Sequence, residues 1–175
     1  MRCKLLASAA LLAAPFILFG TRANAEEFTA RMVGFQEVAA VFSHGQGTLQ
    51  LDLDKKARTI TFKETFSGLS SPVTQSHIHF GKIHVVGGIT VFFCTNLNNG
   101  PPGTQTCPAG GGTVSGTIMA GNVLPIAAQG MPAGDFDALV ELIETQSAYA
   151  NVHTNNFPAG EIRGQIRRAD KDDER

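Results

Sequence analysis

From Thr48 to Asp54 the chain alternates without a break, with Leu49, Leu51 and Leu53 on one side and Thr48, Gln50, Asp52 and Asp54 on the other. Successive side chains of a strand point to opposite faces, so this spacing gathers the leucines on one face of a half-buried antiparallel strand. Lys55-Lys56 supplies a turn, and Arg58 to Phe66 repeats the alternation through Ile60, Phe62 and Phe66, so residues 47–66 read as a β-hairpin. Further strands are expected at Phe28 to Phe35, Ser76 to Phe80, Ile83 to Val86, Ile89 to Phe93, Thr113 to Met119, Ala148 to Thr154 and Glu161 to Arg167, set apart by Gly, Pro, Asn and Ser. One segment changes period. Phe136, Leu139, Val140 and Ile143 fall at i, i+3, i+4 and i+7 behind an acidic start at Asp135 or Asp137, which predicts a single short helix near residues 134–145. Its apolar face would plug one end of a β-structure.

The first 25 residues have a different character. Arg2 and Lys4 precede an apolar run from Leu5 to Gly20, and Ala23-Asn24-Ala25 is a small-x-small cleavage site, so residues 1–25 read as a secretory signal peptide cut after Ala25. The run falls short of the roughly 20 apolar residues of a membrane span, and no later segment approaches that length. Cys3 precedes the apolar core and gives no case for lipid anchoring. That leader holds three of the 14 Lys+Arg (Arg2, Lys4, Arg22), which leaves 11 against 15 Asp+Glu and a formal charge of −4. A mildly acidic chain without a basic cluster has no electrostatic footprint for nucleic acid. Residues 26–168 make one domain, and 169–175, rich in both signs of charge, read as a disordered polar tail. Cys94 and Cys107 are separated by 12 residues rich in Asn, Gly, Pro and Thr. In an oxidising compartment that pair is best read as a disulfide that tethers the Asn96–Thr106 loop without organising the core.

Parity assigns the polar residues. If Ile78 and Phe80 face the core, His77 and His79 face away from it; likewise Tyr149, Asn151 and His153 oppose Ala150 and Val152, and Glu161, Arg163 and Gln165 oppose Ile162 and Ile166. His77, His79, His153, Glu161 and Arg163 are therefore expected to meet as one polar cluster on the outward side of the sheet. Two chemistries suit it. Histidines at i and i+2 of a strand with a third from a neighbour can hold zinc or copper, with Glu161 or Glu37 as an oxygen donor. The same residues can instead form a hydrogen-bonded ladder in which Glu161 orients an imidazole and Arg163 spans strands. His44 and His84 read as solvent-facing. Signatures for nucleophilic hydrolysis, phosphate cradling, zinc proteolysis and calcium loops are missing, so no catalytic residue is assigned and no cofactor is expected beyond a candidate zinc or copper ion.

Several motifs occur in a recognisable order: Gly34-Phe-Gln-Glu37-Val, Gly45-Gln-Gly47, Phe66-Ser-Gly-Leu69, His77-Ile-His79-Phe-Gly81, Asn151-Val-His153-Thr and Pro158-Ala-Gly-Glu161-Ile-Arg163-Gly. In this set the chain resembles the CHRD (chordin) domain family from about Phe28 to Arg167. It departs at Ala39-Ala40, where the family often has prolines that stiffen a bend. The resemblance implies a β-rich extracellular module and supplies no agreed activity for single-domain microbial members. His77-Ile-His79-Phe-Gly81 is also similar, over five residues, to the copper-ligand strand of copper–zinc superoxide dismutase, although the closely placed His and Asp ligands of that enzyme's other loops have no counterpart. The expected fold is thus mainly β, a single antiparallel Greek-key sandwich or barrel of immunoglobulin-like or dismutase-like type. The expected role is that of a secreted or periplasmic, non-enzymatic module for a protein, matrix or surface ligand; the alternative is a metal-binding protein, with redox chemistry in the dismutase manner as its extension.

Overall fold

A computed structural model describes residues 25–169; the expected signal peptide (1–25) and polar tail (169–175) fall almost wholly outside them. The strands are β1 (Glu26–Val33), β2 (Gln46–Asp54), β3 (Thr59–Ser67), β4 (Val73–Phe80), β5 (Ile89–Thr95), β6 (Gly112–Ile118), β7 (Ala148–Thr154), β8 (Ile162–Gln165) and the short β9 (Arg167–Arg168). One α-helix, α1 (Phe136–Glu144), and three single 3-10 turns complete the described residues. The alternation in β2 does what its leucines require: Leu49, Leu51 and Leu53 are buried against Phe28, Ala30 and Met32 of β1 and Ile60, Phe62 and Phe66 of β3.

All strands join one antiparallel sheet in the order β5-β4-β7-β8-β1-β2-β3-β6, with β9 beside β1. The neighbours β4 and β7, β1 and β8, and β3 and β6 are remote in sequence, so the chain crosses the structure repeatedly and the sheet curls into a nearly closed barrel. The two ends of the sheet, β5 and β6, meet along a seam that the Gln105 side chain spans, its Nε2 donating to Phe93 O at 3.1 Å and Ser115 O at 3.2 Å. Phe136, Leu139, Val140 and Ile143 of α1 are buried, and the Asp135 carboxylate caps the helix by accepting from Ala138 N at 2.9 Å. No helix among the described residues is long and apolar enough to cross a membrane.

Two expectations are corrected. Residues 83–86 form no strand: Ile83, Val85 and Val86 are exposed in a loop, and His84 takes a left-handed φ of 60°, which breaks any pleat. The Cys94–Cys107 bridge is formed, but both cysteines lie inside the hydrophobic core and are at most 6% exposed. The bridge therefore organises the core as well as the 96–106 loop. Replacing both cysteines by Ala is expected to cost about 3 kcal/mol from loop closure, with a further loss from the emptied core volume. Chemical denaturation of the variant measures it.

The core also holds one acid. Glu64 on β3 is wholly buried, with Oε1 2.7 Å from Ser76 Oγ, which lies 3.1 Å from Asn151 O, while Oε2 has no partner. Burial raises its pKa to about 8 against the smaller opposing pull of Ser76. One serine hydrogen cannot serve two acceptors. With the carboxyl protonated, Oε1–H donates to Ser76 Oγ and Ser76 passes its own hydrogen to the Asn151 carbonyl. The folded state then holds a proton that the unfolded state has released, so stability falls as pH rises from the ordinary carboxylate value toward 8. Between pH 6.5 and 8.5 urea unfolding is expected to register this loss, and Glu64→Gln to remove about 2 kcal/mol of it.

Candidate functional site

Antiparallel register assembles the site. His77 of β4 stands opposite Asn151 of β7, His79 opposite Tyr149, and Asn151 in turn opposite Arg163 of β8. His153 projects from the same face of β7, one pleat beyond Asn151. Parity thus brings His77, His79 and His153 together, with ring centroids 4.6 Å (His77 to His153), 4.9 Å (His77 to His79) and 6.1 Å (His79 to His153) apart.

This face does not point to solvent. His77, His79, His153, Asn151, Arg163 and Gln165 are all 7% exposed or less, because the segments at 34–41, 81–88 and 155–160 lie over it. Gln165 Nε2 reaches Gly81 O at 3.0 Å, and the Arg163 guanidinium donates to the carbonyls of Lys82 and Val85, both at 3.0 Å. Gly81 closes the loop onto the sheet, since a Cβ there would stand 2.7 Å from Val85 O and 2.8 Å from the Tyr149 ring. Gly160 is likewise required, at φ 128° and with Glu37 Oε1 2.5 Å from where its Cβ would be.

The hydrogen bonds fix the tautomers. His79 Nδ1 lies 2.9 Å from Gly87 O and His153 Nδ1 lies 2.9 Å from Pro158 O; a carbonyl only accepts, so each Nδ1 carries the hydrogen and each Nε2 keeps its lone pair. His77 Nδ1, 3.0 Å from His79 Nε2, must then donate to it, which leaves His77 Nε2 as a bare acceptor. Neither His77 Nε2 nor His153 Nε2 finds a protein donor. All three rings are held neutral. Burial lowers each pKa, to about 4 for His79, and for His77 repulsion from His153 and His79 adds to it.

Each histidine offers one nitrogen such that all three lie within 4.8 Å of one another. Three nitrogens about 2.0–2.1 Å from one metal stand roughly 3.3–3.6 Å apart, so gathering an ion asks the widest separation to close by up to about 1.2–1.5 Å. Tyr149 supports the group: its ring stacks on His79 at 4.7 Å with a 2° interplanar angle, while the Arg163 guanidinium carbon lies 3.4 Å from its centroid.

The two carboxylates go elsewhere. Glu37 Oε1 accepts from Asn151 Nδ2 at 2.5 Å, and burial lifts its pKa to about 7 against the lowering effects of Asn151 and Arg163. Glu161 precedes β8 and escapes its parity: Oε1 accepts from Ser43 Oγ at 2.5 Å and Ser70 N at 2.8 Å, and Oε2 from Ser70 Oγ at 2.8 Å and Thr154 Oγ1 at 2.6 Å. Burial pushes this carboxyl up, but the hydrogen bonds outweigh it and hold the pKa below its ordinary value. The expected five-residue cluster is therefore a histidine triad beside Arg163, with Glu161 as a separate latch joining the 43, 70 and 154 segments. Sequence reasoning placed Tyr149 and Asn151 on this face without giving them a role; their outward parity in β7 was the available signal. Glu161→Gln, which leaves four donors facing one oxygen and an amide, is expected to lower stability by about 1–3 kcal/mol and to leave metal stoichiometry unchanged, as unfolding and metal analysis on one preparation would show.

No curated protein and no solved structure matches the chain. The family model of the CHRD domain does match, across residues 28–166, which takes in β1 from its third residue, β2 to β8, the histidine triad and both cysteines of the bridge. With that extent of match, on a β-barrel whose matched span includes the His77-Ile-His79-Phe-Gly81 and Pro158-Ala-Gly-Glu161-Ile-Arg163-Gly segments, the chain belongs to the CHRD domain family.

Proposed function

We propose that this chain is an exported, non-enzymatic CHRD module that binds one zinc or copper ion through His77, His79 and His153. The observation that carries the reading is the pair of buried lone pairs on His77 Nε2 and His153 Nε2. A buried acceptor without a donor costs about 1–3 kcal/mol, and a purely structural ladder would have paired them. Fixing Nδ1–H on a backbone carbonyl so that Nε2 points into the site is also how metal-binding imidazoles are oriented. The Cys94–Cys107 bridge and the leader-like residues 1–25 support export. No group in the site has the placement of a nucleophile with its base, which favours binding over turnover.

A second reading, a module for a protein, matrix or surface ligand, is favoured by the exposed pair Phe35 and Phe42, whose rings meet edge to face at 6.0 Å and are 64% and 80% exposed. The two readings concern different parts of the molecule and are compatible.

The test is metal content and thermal stability of the mature chain, secreted without a His tag and stripped with chelator. One zinc or copper ion per chain is expected, with a gain of about 2.7 kcal/mol at a free-metal concentration 100 times Kd, and neither in His77→Ala or His153→Ala. Folded wild type that takes up neither metal would leave the triad a structural ladder.

A further inference from the structure

We infer that the ion preferred by the His77, His79 and His153 site is monovalent copper. The inference rests on the metal-binding reading above and concerns which charge the pocket accepts. The ligand group consists of three imidazoles and no anion. A bound ion therefore keeps its full charge, in a place where the three ligands are at most 7% exposed. The desolvation penalty of an ion grows as the square of its charge, so a divalent ion meets about four times the penalty of a monovalent one.

The surroundings add to the difference. Arg163 is 2% exposed, sits against the Tyr149 ring that His79 stacks upon, and has no carboxylate within ion-pair distance among the described residues. Its repulsion of a cation in the triad is proportional to that cation's charge. Glu37, the nearby acid, is hydrogen-bonded to Asn151 and does not belong to the ligand group. Glu64 lies across the sheet on the core face, and Glu161 is taken up by Ser43, Ser70 and Thr154. Zinc completes a tetrahedron with a fourth donor, and Cu(II) prefers a tetragonal set. Cuprous ion, a closed-shell monocation, is content with two or three neutral nitrogens, the number and kind this group offers.

Chelator-stripped mature protein, titrated anaerobically with Cu(I) and separately with Cu(II) and Zn(II) against competing chelators of known affinity, tests this. The expected result is a Cu(I) affinity at least 100-fold above either divalent ion, lost in His77→Ala. Arg163→Gln is expected to narrow the gap by at least 10-fold, while Arg163→Lys, which disturbs the stack but keeps the charge, should preserve it. If Zn(II) or Cu(II) binds as tightly as Cu(I) in the wild type, and does so through the histidines, the monovalent preference is overturned and the metal site stands. If no ion binds folded protein, both fall. The wild-type ratio decides even where an Arg163 variant fails to fold.

Discussion

Strand β7 is buried at all seven of its positions. An antiparallel strand in a small barrel ordinarily gives one face to the core and the other to water, and β7, flanked by β4 and β8, gives its second face to a sealed polar layer instead. Most of the functional architecture follows from that constraint. Every polar group that the layer encloses must find a partner inside it, and the loops that enclose it must supply carbonyls and amides at the right places.

The 81–88 loop shows how this is met. Gly87 uses its carbonyl for His79 and its N–H for the Tyr149 hydroxyl, Lys82 and Val85 accept from Arg163, and Gly81 accepts from Gln165. One loop thus satisfies four side chains from three strands. The layer is over-determined at its rim and under-determined at its centre, where two imidazole nitrogens have nothing to accept. In that layer the buried side-chain atoms left without a partner, among the described residues, are His77 Nε2, His153 Nε2 and Gln165 Oε1.

How much of this was legible in the sequence depends on what alternation can carry. Period-two patterns located β2 and β3, the i, i+3, i+4 spacing located the helix, and alternation put His77, His79, His153 and Arg163 on one face, because a pleat enforces parity wherever the strand is regular. The same logic failed at Glu161, one residue before β8 begins, where the backbone no longer obeys the pleat and the carboxylate turns to Ser70 and Thr154. It failed at Ile83 to Val86, whose apolar residues mimic a strand in a stretch that serves as a cover. It also could not tell the outward side of the sheet from a second interior, since burial there is made by segments more than a hundred residues apart in sequence, such as Glu37 against Asn151.

The Gln105 bridge across the seam has a consequence for how these molecules tolerate one another. A sheet that stops short of full closure has two raw edges, and in most open sheets they face away from each other, each able to recruit a strand from another molecule. Here β5 and β6 lie along the same line, and a loop anchored by a disulfide lays one amide side chain across both. The two sheet ends open to edge-to-edge polymerisation are thereby guarded by a single covalently held strap.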